Sequence, residues 1–184
     1  SVGDLVIIIM ACDNNQTTDG DEGMVTSVVE SPSLGNVWNK AIEFCNGQGT
    51  AQAGATVSIW WTKVTTQMPL STVIVFNFSN NASRDESAST GWVFTTSTSI
   101  TLANTNTLAG DGVTDIGTSL NATTANVQCL RVRGIASELN DATQMSATGS
   151  WTLFGVTRSS NVATAISVRG EWIISTGTGD ASDP

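Results

Sequence analysis

Residues 5 to 10 read Leu-Val-Ile-Ile-Ile-Met, with no polar side chain at any position. Isoleucine and valine are β-branched, stiff at χ1 and at home on a pleated surface. The apolar run "LVIIIMAC" ends at Cys12, far short of the ~20 residues that a membrane helix requires. An antiparallel strand with one wet face alternates apolar and polar residues, whereas a strand hidden on both faces need not. This segment is therefore expected to be central in its sheet, or covered on both faces. That single demand excludes a simple two-stranded hairpin and points to a layered β structure.

The rest of the chain agrees. Strands are predicted over Asp4–Cys12, Met24–Glu30, Val37–Cys45, Thr56–Val64, Thr72–Phe78, Gly91–Thr96, Ser99–Leu102, Val127–Ile135, Trp151–Thr157, Val162–Val168 and Glu171–Ser175. Turns rich in Gly, Ser, Thr and Asn separate them. Leu34–Phe44 is the one segment whose apolar spacing also allows a short helix. In "STVIVFNFSN", Ile74, Phe76 and Phe78 share one face, and Val75 and Asn77 the other. In "NVQCLRVRG", Leu130 and Val132 oppose Arg131 and Arg133, which predicts one wet face. The fold class expected is all-β: an antiparallel β-sandwich, jelly-roll-like, in which 1–80 and 126–175 read as two weakly similar halves. Residues 1–178 form one domain on this reading, with long polar loops at 79–90 and 103–126 and a flexible tail at 179–184.

Composition narrows the chemistry. Charged residues make up 12% of the chain, about half the usual ~25%, so Ser, Thr, Asn and Gln supply the polar surface. The net charge is −9, and the seven basic residues (Lys40, Lys63, Arg84, Arg131, Arg133, Arg158 and Arg169) are scattered along the sequence. Nucleic acid and anionic membranes attract clustered Lys and Arg, so neither is expected as a partner. Histidine and tyrosine are absent, which removes Ser-His-Asp and Cys-His catalysis and the common His-containing zinc sites. Cys12, Cys45 and Cys129 match no CxxC spacing; they read as small buried side chains, with one disulfide plus a free thiol as the alternative. No basic region precedes the first apolar run, so no signal peptide is expected.

Three groups of residues carry candidate chemistry. The acidic stretch "DNNQTTDGDEG", residues 13 to 23, places Asp13, Asn15, Asp19 and Asp21 at alternate positions with Thr17 between. An EF-hand register started at Asp13 fails, because Thr18 stands where glycine is needed and Met24 where glutamate is needed. An irregular calcium site stays open beside a plain acidic turn; no other cofactor is expected. "AGDGVTD" (109–115) is a weaker case of the same kind. Glu43 and Glu171 are the only acids in strand-like apolar surroundings, so they are the pair on which a two-carboxylate glycosidase would have to rest. No nucleophile elbow and no phosphate-binding glycine loop is present, and no enzyme activity is expected. Trp38, Trp60, Trp61 and Trp92 are the candidate ligand or interface residues. Trp60 and Trp61 are adjacent and so point to opposite faces of a strand: one enters the core, and the other meets a second layer, a neighbouring subunit or a ligand. The sequons at Asn15, Asn77, Asn81 and Asn121 are within what chance supplies in so Asn-, Ser- and Thr-rich a chain.

"GDLV" at Gly3–Val6, "IWWTKV" at Ile59–Val64 and "TVIVFNFSN" at Thr72–Asn80, then a polar middle region and a second set of strands ending "AISVRGEWIIS", resemble β-sandwich proteins encoded among the structural genes of tailed bacteriophages. The chain departs from that pattern in two places. The acidic loop and "GMVTSVV" replace a "P-x-G-W" turn, and the middle loop lacks prolines. The resemblance implies a virion structural protein, first of all a capsid decoration or cement protein on the particle surface. Its expected partners are further copies of itself, as a homotrimer, and the major capsid protein or another virion protein. The alternative is a receptor- or carbohydrate-binding module of a tail or fibre, with a surface glycan as ligand. The family motif carries no catalytic residue.

Overall fold

The computed structural model describes residues 1–14, 17–20, 23–47, 54–79, 86–96, 128–138, 150–160 and 165–176. Among them are nine strands and no helix: β1 (Leu5–Asp13), β2 (Val25–Ser31), β3 (Asn39–Cys45), β4 (Ala55–Lys63), β5 (Val73–Phe78), β6 (Ser87–Phe94), β7 (Gln128–Ser137), β8 (Thr152–Arg158) and β9 (Ser167–Thr176). All pairings are antiparallel. The fold is thus an all-β antiparallel sandwich. Its described strands make a four-stranded sheet β3-β4-β1-β6, a two-stranded ribbon β2-β5 and a three-stranded sheet β7-β9-β8.

The apolar run of the first strand explains this arrangement. β1 lies between β4 and β6, with one face covered along its length and the other covered at Met10. Leu5, Ile7, Ile9 and Ala11 point to one side, where they meet Phe154, Ile166 and Val168 of the β8–β9 region, with Val57, Ile59 and Trp61 of β4 beside them. Met10 points to the other side and joins Trp60, Val25 and Val28, against Ile74, Phe76 and Phe78 of the ribbon. The four-stranded sheet is therefore a middle layer with its own core on each face. Trp60 and Trp61 divide as adjacent strand residues must, Trp60 into the ribbon side and Trp61 into the three-stranded side.

The middle and three-stranded sheets lie unusually close. Strands β6 and β8, and β1 and β9, bring Cα atoms within 8 Å, whereas stacked sheets commonly sit ~10 Å apart. Missing side chains make this possible. Gly134 pairs with Gly170 across β7 and β9, and Gly170 with Gly155 across β9 and β8, so a bare furrow crosses the sheet. The fully buried Ile9 fills it. A Cβ at Gly134 would lie 2.6 Å from Ile9 Cγ2, and one at Gly170 would lie 2.8 Å from Ile9 Cδ1 and 2.7 Å from Phe154 Cδ2. Beside the furrow, Phe94 meets Trp172 edge-on at 5.3 Å and Phe154 at 5.9 Å, spacings at which aromatic pairs attract.

Three sequence expectations change. The helical alternative over Leu34–Phe44 is not taken up: Asn39–Cys45 is strand β3, because its apolar Ile42 and Phe44 pair with Ile59 and Val57 of β4. The two strands expected at Val162–Val168 and Glu171–Ser175 are one, β9, which runs straight through Arg169 and Gly170. Gly170 reads as a break in the sequence but serves as the floor of the furrow. The Arg131 and Arg133 face of β7 is not wet. Arg131 is buried, and the Arg133 guanidinium lies 4.3 Å from the ring centre of Trp151. The strand expected at Ser99–Leu102, the start of Val162–Val168, residues 103–126, the second Asp/Gly loop at 109–115, the sequons at Asn81 and Asn121 and the tail lie outside the described residues. The alternation of β5 is as read: Ile74, Phe76 and Phe78 turn inward while Val73, Val75 and Asn77 face solvent. The two sets of three strands pair differently. β1 lies beside β4 while β5 leaves for the ribbon, whereas β9 lies between β7 and β8.

Candidate functional site

The ribbon side of the middle sheet contains both a buried polar anchor and an open gap. The anchor is Glu43 on edge strand β3. Its carboxylate accepts the backbone N–H of Met24 and, at 3.2 Å, that of Val25, and it pairs with Lys40 Nζ at 2.8 Å. Buried carboxylates persist when charge-assisted hydrogen bonds satisfy them, and this one fastens the start of β2 over β3. Trp38 Nε1 donates to Glu30 Oε1 at 3.3 Å, and Asn36 Nδ2 to the same oxygen at 2.9 Å. The ribbon is thus held at the β3–β4 side of the sheet.

Two strands cannot cover four. Among the described residues, β2 and β5 leave the β1–β6 side bare, and an open trough of about 680 Å³ lies there. Val6 and Ile8 of β1 and Gly91 and Val93 of β6 line it, with Ile74 and Phe76 of β5 as one wall. Gly91 faces Ile8 across the ladder and adds no side chain to the trough; a Cβ there would meet Ile7 O at 2.7 Å. Val93 is 53% exposed and Trp92 44%. Trp92 pairs with Ile7 and turns to the other face of the sheet, its ring stacked on Phe154 at 6.1 Å and 20°.

The two strands that border the trough differ from every other sheet edge described. β3 has Lys40 and Glu43 and a register shift between Lys40 and Ile42. β2 has Glu30 and a shift between Val25 and Ser27. β7 has Arg131 and Arg133, and β8 has Arg158 and a shift between Leu153 and Gly155. Charges and bulges of this kind keep edges from pairing with foreign chains. β5 ("VIVFNF") and β6 ("SASTGWVF") contain no charged residue, and the β6 ladder with β1 runs without a shift.

The residues singled out from the sequence fall as follows. Trp60 is buried, its Nε1 donating to Ser58 Oγ at 3.2 Å with Lys40 Nζ 5.5 Å from its ring centre. Trp38 and Trp61 are half-buried in the two cores. Of the four, Trp92 alone is exposed. Asp13 and Asp19 serve backbone groups: Asp13 Oδ2 accepts Glu86 N at 3.0 Å, and Asp19 Oδ1 accepts Gly47 N at 3.0 Å. Gly20 exchanges two backbone hydrogen bonds with Cys45, and the Asn14 side chain bonds Gly47 O and Gly54 N. The described part of the acidic stretch is therefore stitched to the end of β3. Asn15 and Asp21 lie outside the described residues. Among those described, no three of Asp, Glu, Cys and His stand together as metal ligands would.

Glu43 and Glu171 do not share a cleft. Glu43 lies under the ribbon, and Glu171 lies on β9 of another sheet, bonded to Arg133 Nε and 3.2 Å from Arg169 Nε, a contact too misaligned to be a hydrogen bond. Sequence reasoning missed two charge arrangements. One is this grouping of Arg133 and Arg169 around a single buried carboxylate; only strand pairing brings β7 and β9 together. The other is Glu138, whose carboxyl is raised above its ordinary value by burial and then by the neighbouring Asp13 charge. It also missed the trough, for which the one available signal was the absence of charge from residues 73–78 and 87–94.

No family model, curated protein or solved structure matches the chain.

Proposed function

We propose that this chain is a virion structural protein that works by docking, its role being capsid decoration or cement, seated as a homotrimer on the outer capsid surface. The virion part of the reading rests on the resemblance of "GDLV", "IWWTKV" and "TVIVFNFSN" to phage β-sandwich proteins. The docking part rests on one observation: an open apolar trough whose two bordering strands have neither charge nor bulge to repel a partner. Monomeric proteins rarely leave a contiguous apolar recess of this kind uncovered unless something binds there. The net charge of −9 suits a layer that faces solvent and avoids packaged nucleic acid.

A glycan-binding module would call for a ring platform beside Asn and Asp side chains. Trp92 is the one exposed ring of the four candidates, but it turns to the other face of β6, and the described trough lining contains no Asn or Asp, Ser89 being its hydrogen-bonding side chain. Protein docking fits that chemistry better. Cryo-electron microscopy of particles made by the genome that encodes the chain tests the proposal. Density for the sandwich on the outer capsid lattice is the expected result, and particles complete without it would refute the role. A glycan array bound by the isolated chain, with loss on Trp92→Ala, would favour the tail or fibre reading.

A further inference from the structure

The geometry points to a specific occupant: one extended segment of a different protein, added alongside β5 at Ile74 and Phe76 as a third strand of the ribbon. The inference rests on the docking reading and names what docks. Because the ribbon spans only the β3–β4 side of the middle sheet, a strand hydrogen-bonded to β5 would lie directly above Val6, Ile8, Gly91 and Val93. Its alternate side chains would drop into the trough beside Ile74 and Phe76, and the others would face solvent. The occupant is thus aliphatic at every second position. Between those positions it is neutral or basic, since an acidic segment would approach a chain of net charge −9 against its field.

Size decides between a strand and a folded surface. Ten residues line the trough, whereas a stable interface between two folded partners takes about 20–30 residues a side. A surface this small holds a partner only if main-chain hydrogen bonds add to the apolar burial, which is what strand addition supplies. A second copy of the chain fits poorly. It carries the same net charge of −9 and would approach against the same field. Joining β6 to β6 of a copy would extend the middle sheet sideways and leave the floor above Val6 and Ile8 bare.

The test uses the whole chain and a panel of ten-residue peptides in which Val or Ile alternates with Thr or Lys, read by hydrogen–deuterium exchange. The expected result is saturable binding that slows exchange at β5 amides and leaves those of β8 unchanged. Val93→Lys, which puts a charge at an exposed position of the trough, should weaken binding at least tenfold. Val29→Lys, on the outer face of the ribbon, should leave it intact. Strand addition is overturned if no peptide in the panel protects β5, if Val93→Lys binds as the parent does, or if β5 protection rises with protein concentration in the absence of peptide, which would assign the trough to a second copy. The docking reading fails separately. A chain missing from particles whose β5 still takes peptide refutes the virion role alone, whereas a particle-bound chain with unprotected β5 amides refutes strand addition alone.

Discussion

The two faces of the middle sheet are covered by opposite means. Toward β7-β9-β8 the layers meet through glycine and aromatic side chains, close enough that Ile9 fills a furrow of bare backbone. The indole N–H groups of Trp61 and Trp172 are buried there with no acceptor among the described residues, a sign of how fully the fit is made by shape. Toward β2-β5 the contact is anchored by a buried carboxylate, and it stops halfway across the sheet. One face is closed by packing. The other is tied down at one side and left open at the other, so the binding surface falls where the fold did not finish its own layer.

The comparison breaks most readily at Ile9. Ile9→Ala should cost about 2–5 kcal/mol, because the furrow cannot collapse around a smaller side chain; a urea midpoint unchanged from the parent would refute the close fit. On the ribbon side, Glu43→Ala should cost about 1–3 kcal/mol by stranding two buried N–H groups. Its signature is faster hydrogen exchange in β2 and β5 with β9 unaffected. Equal exchange throughout would mean that the ribbon is not separately anchored.

Gly170→Ala sharpens the contrast by overfilling, at about 1–3 kcal/mol. Combined with Ile9→Ala it should cost less than the sum of the two, since one of its two clashes is with the Ile9 side chain. Strict additivity would show that the two sites do not touch.

The smallest effect is at Glu138. Its folded carboxyl titrates above the ordinary value of 4.5, from burial first and Asp13 second. The folded state therefore holds the proton more tightly than the unfolded one. Stability from this group is greatest at low pH and is lost as pH rises through the folded value. Glu138→Gln should raise the melting temperature slightly at pH 7, with the gain vanishing as pH falls below 4.5. A gain that persists at low pH would point to packing instead of charge.

Much of the strand content could be read directly. The unbroken apolar run of β1 required cover on both sides, and the alternation in β5 identified which residues turn inward. What misled were residues whose role depends on a neighbour distant in sequence. Gly170 looked like a turn because its partner Ile9 lies far along the chain. Arg133 looked solvated because its companions, Glu171 on β9 and Trp151 just before β8, are distant in sequence. Trp38, Trp60 and Trp61 read as core or interface residues, with a ligand platform as the lesser alternative, since side-chain type does not reveal what stands opposite.

By itself, then, the sequence determined the class of structure and much of the excluded chemistry. Residue type and period set local backbone preference, and without histidine the familiar His-dependent sites could not form. Tertiary structure alone decided which face of the middle sheet would close and which would stay open. That depends on sheet order, on how many strands lie over how many, and on where two glycines meet one isoleucine, relations set by pairing between segments and carried by no single segment.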